Sequence, residues 1–190
     1  KVYRGERAQK GRYREFYQCD IDIIGDETLD IINDAELPAV IATTFRRLGF
    51  DEFTIKINNR KILNGLYESI NQTEKSVDIM RIIDKIDKIG EQAVIEELAK
   101  IEVPEESINK IMQFIKIDGT TDEKLQKLQS LGIENDTYKL GVEELGEVVK
   151  YIRLFGIEDK NFVIDLSIAR GLDYYTGTVY ETFLNGYREL

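Results

Sequence analysis

Phe162-Val163-Ile164-Asp165-Leu166-Ser167-Ile168-Ala169-Arg170-Gly171-Leu172-Asp173-Tyr174-Tyr175-Thr176-Gly177-Thr178-Val179-Tyr180-Glu181 reads as strand, tight turn and strand, and its place after a long helical run decides the fold. Phe162, Ile164, Leu166 and Ile168 recur at every second position, the period of a β-strand with one buried face. Strand character resumes from Tyr174 to Phe183, with Arg170-Gly171-Leu172-Asp173 as the tight segment between.

Upstream, from Arg60 to Phe155, that alternation is missing. Ile79, Ile82, Ile83, Ile86 and Ile89 recur at helical spacing between a Ser76 cap and Gly90. Pro104 suits a first helical turn ahead of Ile108, Ile111, Met112 and Ile115. Thr120 or Thr121 opens a shorter helix ending near Gly132, and Val142, Leu145, Val148, Val149 and Ile152 mark another that stops at Gly156.

The first part of the chain mixes both patterns. Arg14 to Ile24 predicts a strand with Tyr17, Cys19, Ile21 and Ile23 on one face and Arg14, Phe16, Gln18, Asp20 and Asp22 on the other. Gly5 and Gly11 bracket a polar loop, so this strand and Tyr3-Arg4 predict a long hairpin. Asn33 or Asp34 caps a helix that tolerates Pro38 and stops at Gly49, and Phe53, Ile55 and Ile57 form the next strand. Strands, then helices, then strands predict an α+β fold: a mainly antiparallel sheet flanked by helices, with a small all-helical domain inserted. The expected division is 1–65, 66–155 for the helical insertion, and 156–190.

Hydrophobic residues make up 42% and charged residues 33% of the 190, the balance of a globular chain rather than a disordered or membrane one. With no long apolar run and no leader-like start, the expected address is the cytoplasm. Cys19, the single cysteine, is expected to be a buried, inert thiol. The absence of histidine excludes a Ser/His/Asp triad and a histidine metal site, so chemistry here rests on Arg, carboxylates, Tyr and bound ligands. A net charge of −10 argues against strong autonomous binding of RNA.

Two constellations stand out. Arg4, Arg7, Arg12 and Arg14 crowd one end of an acidic chain, and guanidinium groups are the bidentate partners of phosphate. Phe16 adds a ring suited to stacking on a nucleobase, while Gln18, Asp20 and Asp22 suit an amine or an imidazole N–H. By spacing alone, a solvated hairpin with paired surface charges fits equally well. In the second constellation Gly171 and Gly177 permit unusual backbone angles, Arg170 offers a positive fork, and Tyr174 and Tyr175 offer rings with polar tips. A turn whose tyrosines fill the core fits that pattern too.

Taken together, the two resemble one family. Tyr3 to Asp22 resembles the second motif of class II aminoacyl-tRNA synthetases in the form used by histidyl-tRNA synthetases, and Arg170-Gly171-Leu172-Asp173-Tyr174-Tyr175-Thr176-Gly177 resembles that family's own histidine-binding motif. A helical insertion separates the two motifs in the family, as the helical run does here. The resemblance implies that Arg4 contacts the ATP α-phosphate and the substrate carboxylate, with Glu6 near the adenine end. It puts Arg12 and Arg14 along the phosphates and Phe16 against adenine. Gln18 would hold the amino and carboxylate end of histidine, Asp22 one imidazole nitrogen, and Tyr174 and Tyr175 the other side of the ring. Arg170 would bridge carboxylate and α-phosphate. Asp22 stands where Glu is also used, a variant the family permits.

The implied activity is that of a histidine–tRNA ligase using L-histidine, ATP with Mg²⁺, and histidine tRNA, in a homodimeric parent. The family's first and third motifs, the upstream loop that binds the substrate amine and the anticodon-binding domain have no match here. The chain is therefore expected to be part of a longer protein, inactive in isolation, with Mg²⁺ ligands unidentified. The competing expectation is a non-catalytic regulatory paralogue from histidine biosynthesis. Arg4, Glu6, Arg12, Phe16 and Arg170, the phosphate-facing set, favour the ligase.

Overall fold

The computed structural model describes residues 1–169 and 174–186. The chain opens with β1 (Val2–Tyr3) and β2 (Glu15–Phe16), an antiparallel pair in register Val2↔Phe16 and Tyr3↔Glu15. Gly11, at a φ of +75°, lets the loop between them fold back into a Gln9↔Arg12 bridge. The strand expected from Arg14 to Ile24 ends at Phe16. A strand needs a hydrogen-bonded neighbour, and β1 is only two residues long. Beyond Phe16, Tyr17 and Ile24 are 83% and 92% exposed, and Cys19 is exposed rather than buried, because no described strand runs beside residues 17–24.

Helix α1 (Ile32–Arg47) starts before Asn33 and Asp34, since the Asp30 carboxylate accepts from the Ile32 N–H at 3.0 Å and so takes the capping role expected of them. It stops at Gly49 as expected: φ is +84° there, and the Phe50 N–H donates to the Phe45 carbonyl at 2.9 Å. Strand β3 (Phe53–Asn59) follows, with Phe53, Ile55 and Ile57 buried.

The helical run comprises α2 (Arg60–Ser69), α3 (Ser76–Ile83), α4 (Ile86–Ile89), α5 (Glu91–Lys100), α6 (Glu105–Ile115), α7 (Thr121–Ser130) and α8 (Asp136–Leu154). The isoleucine run from Ile79 to Ile89 is divided between α3 and α4, and Ser76 is the first residue of α3 without a side-chain cap bond. Thr120 and Glu123 form a reciprocal capping box at α7. Helices α2 and α8 cross closely through two glycines. A Cβ on Gly65 would lie 2.4 Å from the Tyr138 backbone nitrogen, and one on Gly141 would lie 2.7 Å from that of Ile62.

The chain returns through β4 (Phe162–Ile164) and β5 (Thr178–Leu184), giving a sheet ordered β4-β3-β5. β5 pairs antiparallel with β3 from Phe53↔Leu184 to Asn59↔Thr178, but β4 pairs parallel, Ile55↔Phe162 to Ile57↔Ile164. The helical run is a crossover that brings the chain back to the same end of β3, which is why the sheet is not antiparallel throughout. β4 ends four residues short of Ile168 because the Asp165 carboxylate turns back to accept from the Ser167 N–H and hydroxyl at 3.0 and 2.6 Å. β5 begins at Thr178 rather than Tyr174.

One hydrophobic cluster runs from Phe53, Ile55 and Ile57 of the sheet through Leu145 and Val149 of α8 to Ile79 and Ile111. Helix α8 packs on α1, α2 and β3, and residue 66, the expected start of the insertion, falls inside α2.

Candidate functional site

The junction of β3 and α2 organises the region around the second constellation. Asn59 caps α2, its side-chain oxygen accepting from the Lys61 N–H at 2.9 Å, and its amide donates to Glu144 of α8 at 2.9 Å. Lys61 forms an ion pair with the other Glu144 oxygen. From α1 comes Asp34, whose backbone carbonyl accepts from the Tyr180 hydroxyl of β5 at 2.6 Å. Burial, with the Asp34 charge adding to it, pushes the Tyr180 phenol well above its ordinary value.

These groups wall a cavity of about 570 Å³ that also takes Leu29, Ile31 and Leu37 from the start of α1 and Tyr174, Tyr175, Thr176, Gly177 and Thr178 from the last segment. Tyr174 and Tyr175 stand at its edge, 84% and 51% exposed, with ring centroids 5.3 Å apart in an edge-to-face arrangement. Two exposed rings beside an apolar and carboxylate-bearing wall suit a small ligand with an aromatic or cationic part. Sequence reading found the tyrosines but missed Asp34, Lys61 and Glu144. Lys61 and Glu144 lie 83 residues apart, so no spacing rule joins them. Arg170 lies outside the described residues.

Asp34 is the titratable wall. Burial above all, with the Glu144 charge, raises its carboxyl from the ordinary 3.8, against the opposite pull of the Thr178 hydroxyl and Lys61. A raised folded value means the fold holds this proton more tightly than the unfolded chain. Its contribution to stability is therefore complete below about pH 3.9 and is lost as pH rises through the folded value. Asp34→Asn keeps the uncharged form. Thermal melting should show the variant more stable than the parent chain at pH 7, with the difference vanishing toward pH 3.5 and below, roughly where both carboxyls are protonated. A difference independent of pH would contradict this.

The hairpin gathers the first constellation. Glu6 pairs with Arg4 at 3.8 Å and Arg12 at 3.3 Å, and its carbonyl accepts from Arg14 Nε at 3.2 Å. The Arg4 guanidinium sits 5.4 Å from the Phe16 ring centroid and donates to Gln18 Oε1 at 3.3 Å, and Gln18 donates in turn to Asp20 at 2.6 Å. Two guanidinium groups on one carboxylate and a third on the same residue's carbonyl, beside a ring, suit a ligand with both phosphates and a planar base. Asp22 is exposed and stands apart from these contacts, because the strand that would carry it onto the Phe16 face ends early. No residue of the hairpin lines the cavity holding Tyr174 and Tyr175. Among the described residues no group of three or more Cys, Asp or Glu is placed to hold a metal ion.

The family model for histidyl-tRNA synthetase matches residues 1–190. A histidine–tRNA ligase from Clostridium tetani is 57% identical over all of this chain and 43% of its own length, and one from Nostoc sp. PCC 7120 is 48% identical over all of this chain and 42% of its length. The chain thus spans less than half of these relatives. The crystal structure of the Nostoc histidyl-tRNA synthetase superposes with a TM-score of 0.82 at 44% identity, covering 85% of this chain and 38% of that one. A Bacillus halodurans structure described as an ATP phosphoribosyltransferase regulatory subunit/histidyl-tRNA synthetase shares the fold, with a TM-score of 0.70 at 19% identity over 86% of this chain and 41% of its own.

Proposed function

This chain belongs to the histidyl-tRNA synthetase family, and from that premise we propose that it forms the middle of the catalytic domain of a histidine–tRNA ligase. The observation that carries the reading is the hairpin, where Arg4, Arg12 and Arg14 surround Glu6 next to Phe16. An ATP polyphosphate would replace the Glu6 carboxylate as the partner of Arg4 and Arg12, with Arg14 beside them, and Phe16 would take adenine. Arg4, already touching Gln18, would then reach both the α-phosphate and the carboxylate of histidine. That carboxylate attacks the α-phosphorus, pyrophosphate leaves, and the histidyl group passes from the adenylate to the tRNA 3′ end. Fixed positive charge offsets the charge developing on phosphorus.

By the family resemblance, Gln18, Asp22, Tyr174 and Tyr175 would contact histidine, with Arg170 at its carboxylate, although the hairpin does not line the cavity beside Tyr174 and Tyr175 in this structure. Mg²⁺ would accompany ATP, held by phosphates and by groups beyond those described here. The exposed apolar strip of Tyr17, Ile21 and Ile24 suits pairing with further strands of a longer parent. Residues 66–155 are proposed as the insertion, the parent as a cytoplasmic homodimer; among the described residues no helix is long and apolar enough to cross a membrane. A structure described in part as a regulatory subunit shares this fold, and the hairpin cluster of Arg4, Glu6, Arg12 and Phe16 is what favours the ligase reading over a regulatory one.

Asp22 tests the pocket. In the full-length parent, Asp22→Ala should lower histidine use in ATP–pyrophosphate exchange by about tenfold or more, the scale of one charge-assisted hydrogen bond, with ATP dependence little changed. Loss of ATP use with histidine kinetics intact would refute the assignment.

A further inference from the structure

We infer that Asn58 and Arg60 are positioning residues for histidine recognition, because the β3–α2 junction holds the described residues on both sides of the segment that carries Tyr174 and Tyr175. The inference rests on the proposed ligase reading and extends it to residues far from the two motifs.

Asn58 is fully buried and Arg60 is 3% exposed, in a core that is mainly hydrophobic. Asn58 Nδ2 donates to the carbonyls of Leu166 at 3.3 Å and Ile168 at 2.9 Å, while its Oδ1 accepts from the Asn59 N–H at 2.8 Å. The Arg60 guanidinium donates to the Ala169 carbonyl at 3.2 Å and to Met80 Sδ at 2.9 Å. The Arg60 backbone N–H donates to the Gly177 carbonyl at 2.9 Å. One three-residue junction therefore grips residues 166, 168 and 169 ahead of the motif and residue 177 behind it.

The need for donors follows from where β4 ends. After Asp165, whose N–H still donates to the Ile57 carbonyl at 2.9 Å, the chain leaves the ladder, yet Leu166, Ile168 and Ala169 stay at most 3% exposed, so neither strand nor water is at hand for their carbonyls. Aliphatic residues at 58 and 60 would fill the same volume without satisfying them, and burying an amide and a guanidinium is unfavourable unless each is bonded. Arg60 also fixes a distance. Its side chain and its backbone hold opposite ends of the segment, and Asn59, as the α2 cap tied to Glu144, sets its place on the scaffold. The tyrosines thereby stand on supports that belong to the rigid sheet and helix rather than to the loop.

The test uses the full-length parent in ATP–pyrophosphate exchange. Exchange that depends on histidine in the unaltered protein supports the ligase reading; its absence sinks that reading, whatever the variants do. Given exchange, Asn58→Leu, nearly isosteric but without donors, should raise KM for histidine about tenfold or more and leave KM for ATP within about twofold. Arg60→Met should act in the same direction, and Arg60→Lys, which keeps a donor, should recover part of the loss. Equal rises in both KM values, or no change in either, would overturn the inference. If Asn58→Leu does not fold, the Arg60 pair decides; failure of all three variants to fold would also overturn it, by showing the junction to be core support only.

Discussion

Arg4→Ala in the full-length parent should cost roughly 10²–10³-fold in histidine-dependent ATP–pyrophosphate exchange, the scale of losing one preorganised group aimed at developing charge. Arg4 stands where three functions meet. Its backbone N–H donates to the Arg14 carbonyl at 2.8 Å, so the hairpin itself sets its position. Its guanidinium lies over Phe16, bonds Gln18 and pairs with Glu6, linking the proposed adenine, amino-acid and phosphate subsites. Because the side chain is exposed, its removal leaves no buried void and should shift the melting temperature little, which separates a chemical loss from unfolding. Arg4→Lys should recover only a small part of the rate, since an ammonium lacks the planar fork that spans two acceptors. Near-normal exchange by the alanine variant would remove Arg4 from the phosphate site.

Gly65→Val should be the most destabilising single change in the helical region. A Cβ there meets the Tyr138 nitrogen at 2.4 Å, the Asn135 side-chain oxygen at 2.6 Å and the Tyr138 Cα at 2.7 Å. Two of these atoms are backbone and the third is the cap of α8, so none can swing aside as the end of a flexible side chain would. Helix α8 has to move outward as a body, loosening its contacts with α1, α2 and β3 at once. Overpacking of this kind costs about 3 kcal/mol or more, a fall of roughly 6–12 °C in Tm for a chain of this size. Gly146→Ala, on the same α8 but with nothing within 4 Å of its Cβ, is the control, and should be neutral or slightly stabilising because alanine favours helix. Equal melting of the two variants would mean the helices do not cross as closely as described.

The features legible in the amino-acid order are those governed by neighbours a few residues apart. The stripe Val142, Leu145, Val148, Val149 and Ile152 marked α8, Thr120 or Thr121 marked the start of α7, and Gly49 ended α1, because helical periodicity, caps and left-handed turns are local. The crowding of Arg4, Arg12 and Arg14 was equally local. Tertiary structure decided what depends on a distant partner. Residues 17–24 alternate like a strand, yet without a neighbouring strand they form no ladder, and Cys19 is exposed with them. Whether β4 runs parallel or antiparallel to β3 depended on the end at which the helical crossover returned. Asp34, Lys61 and Glu144, like Asn58 and Arg60, carry no motif that marks them. They acquire their roles only when the fold brings α1, α2, α8 and the segment after β4 together, since a buried charge or amide is defined by the partner it finds.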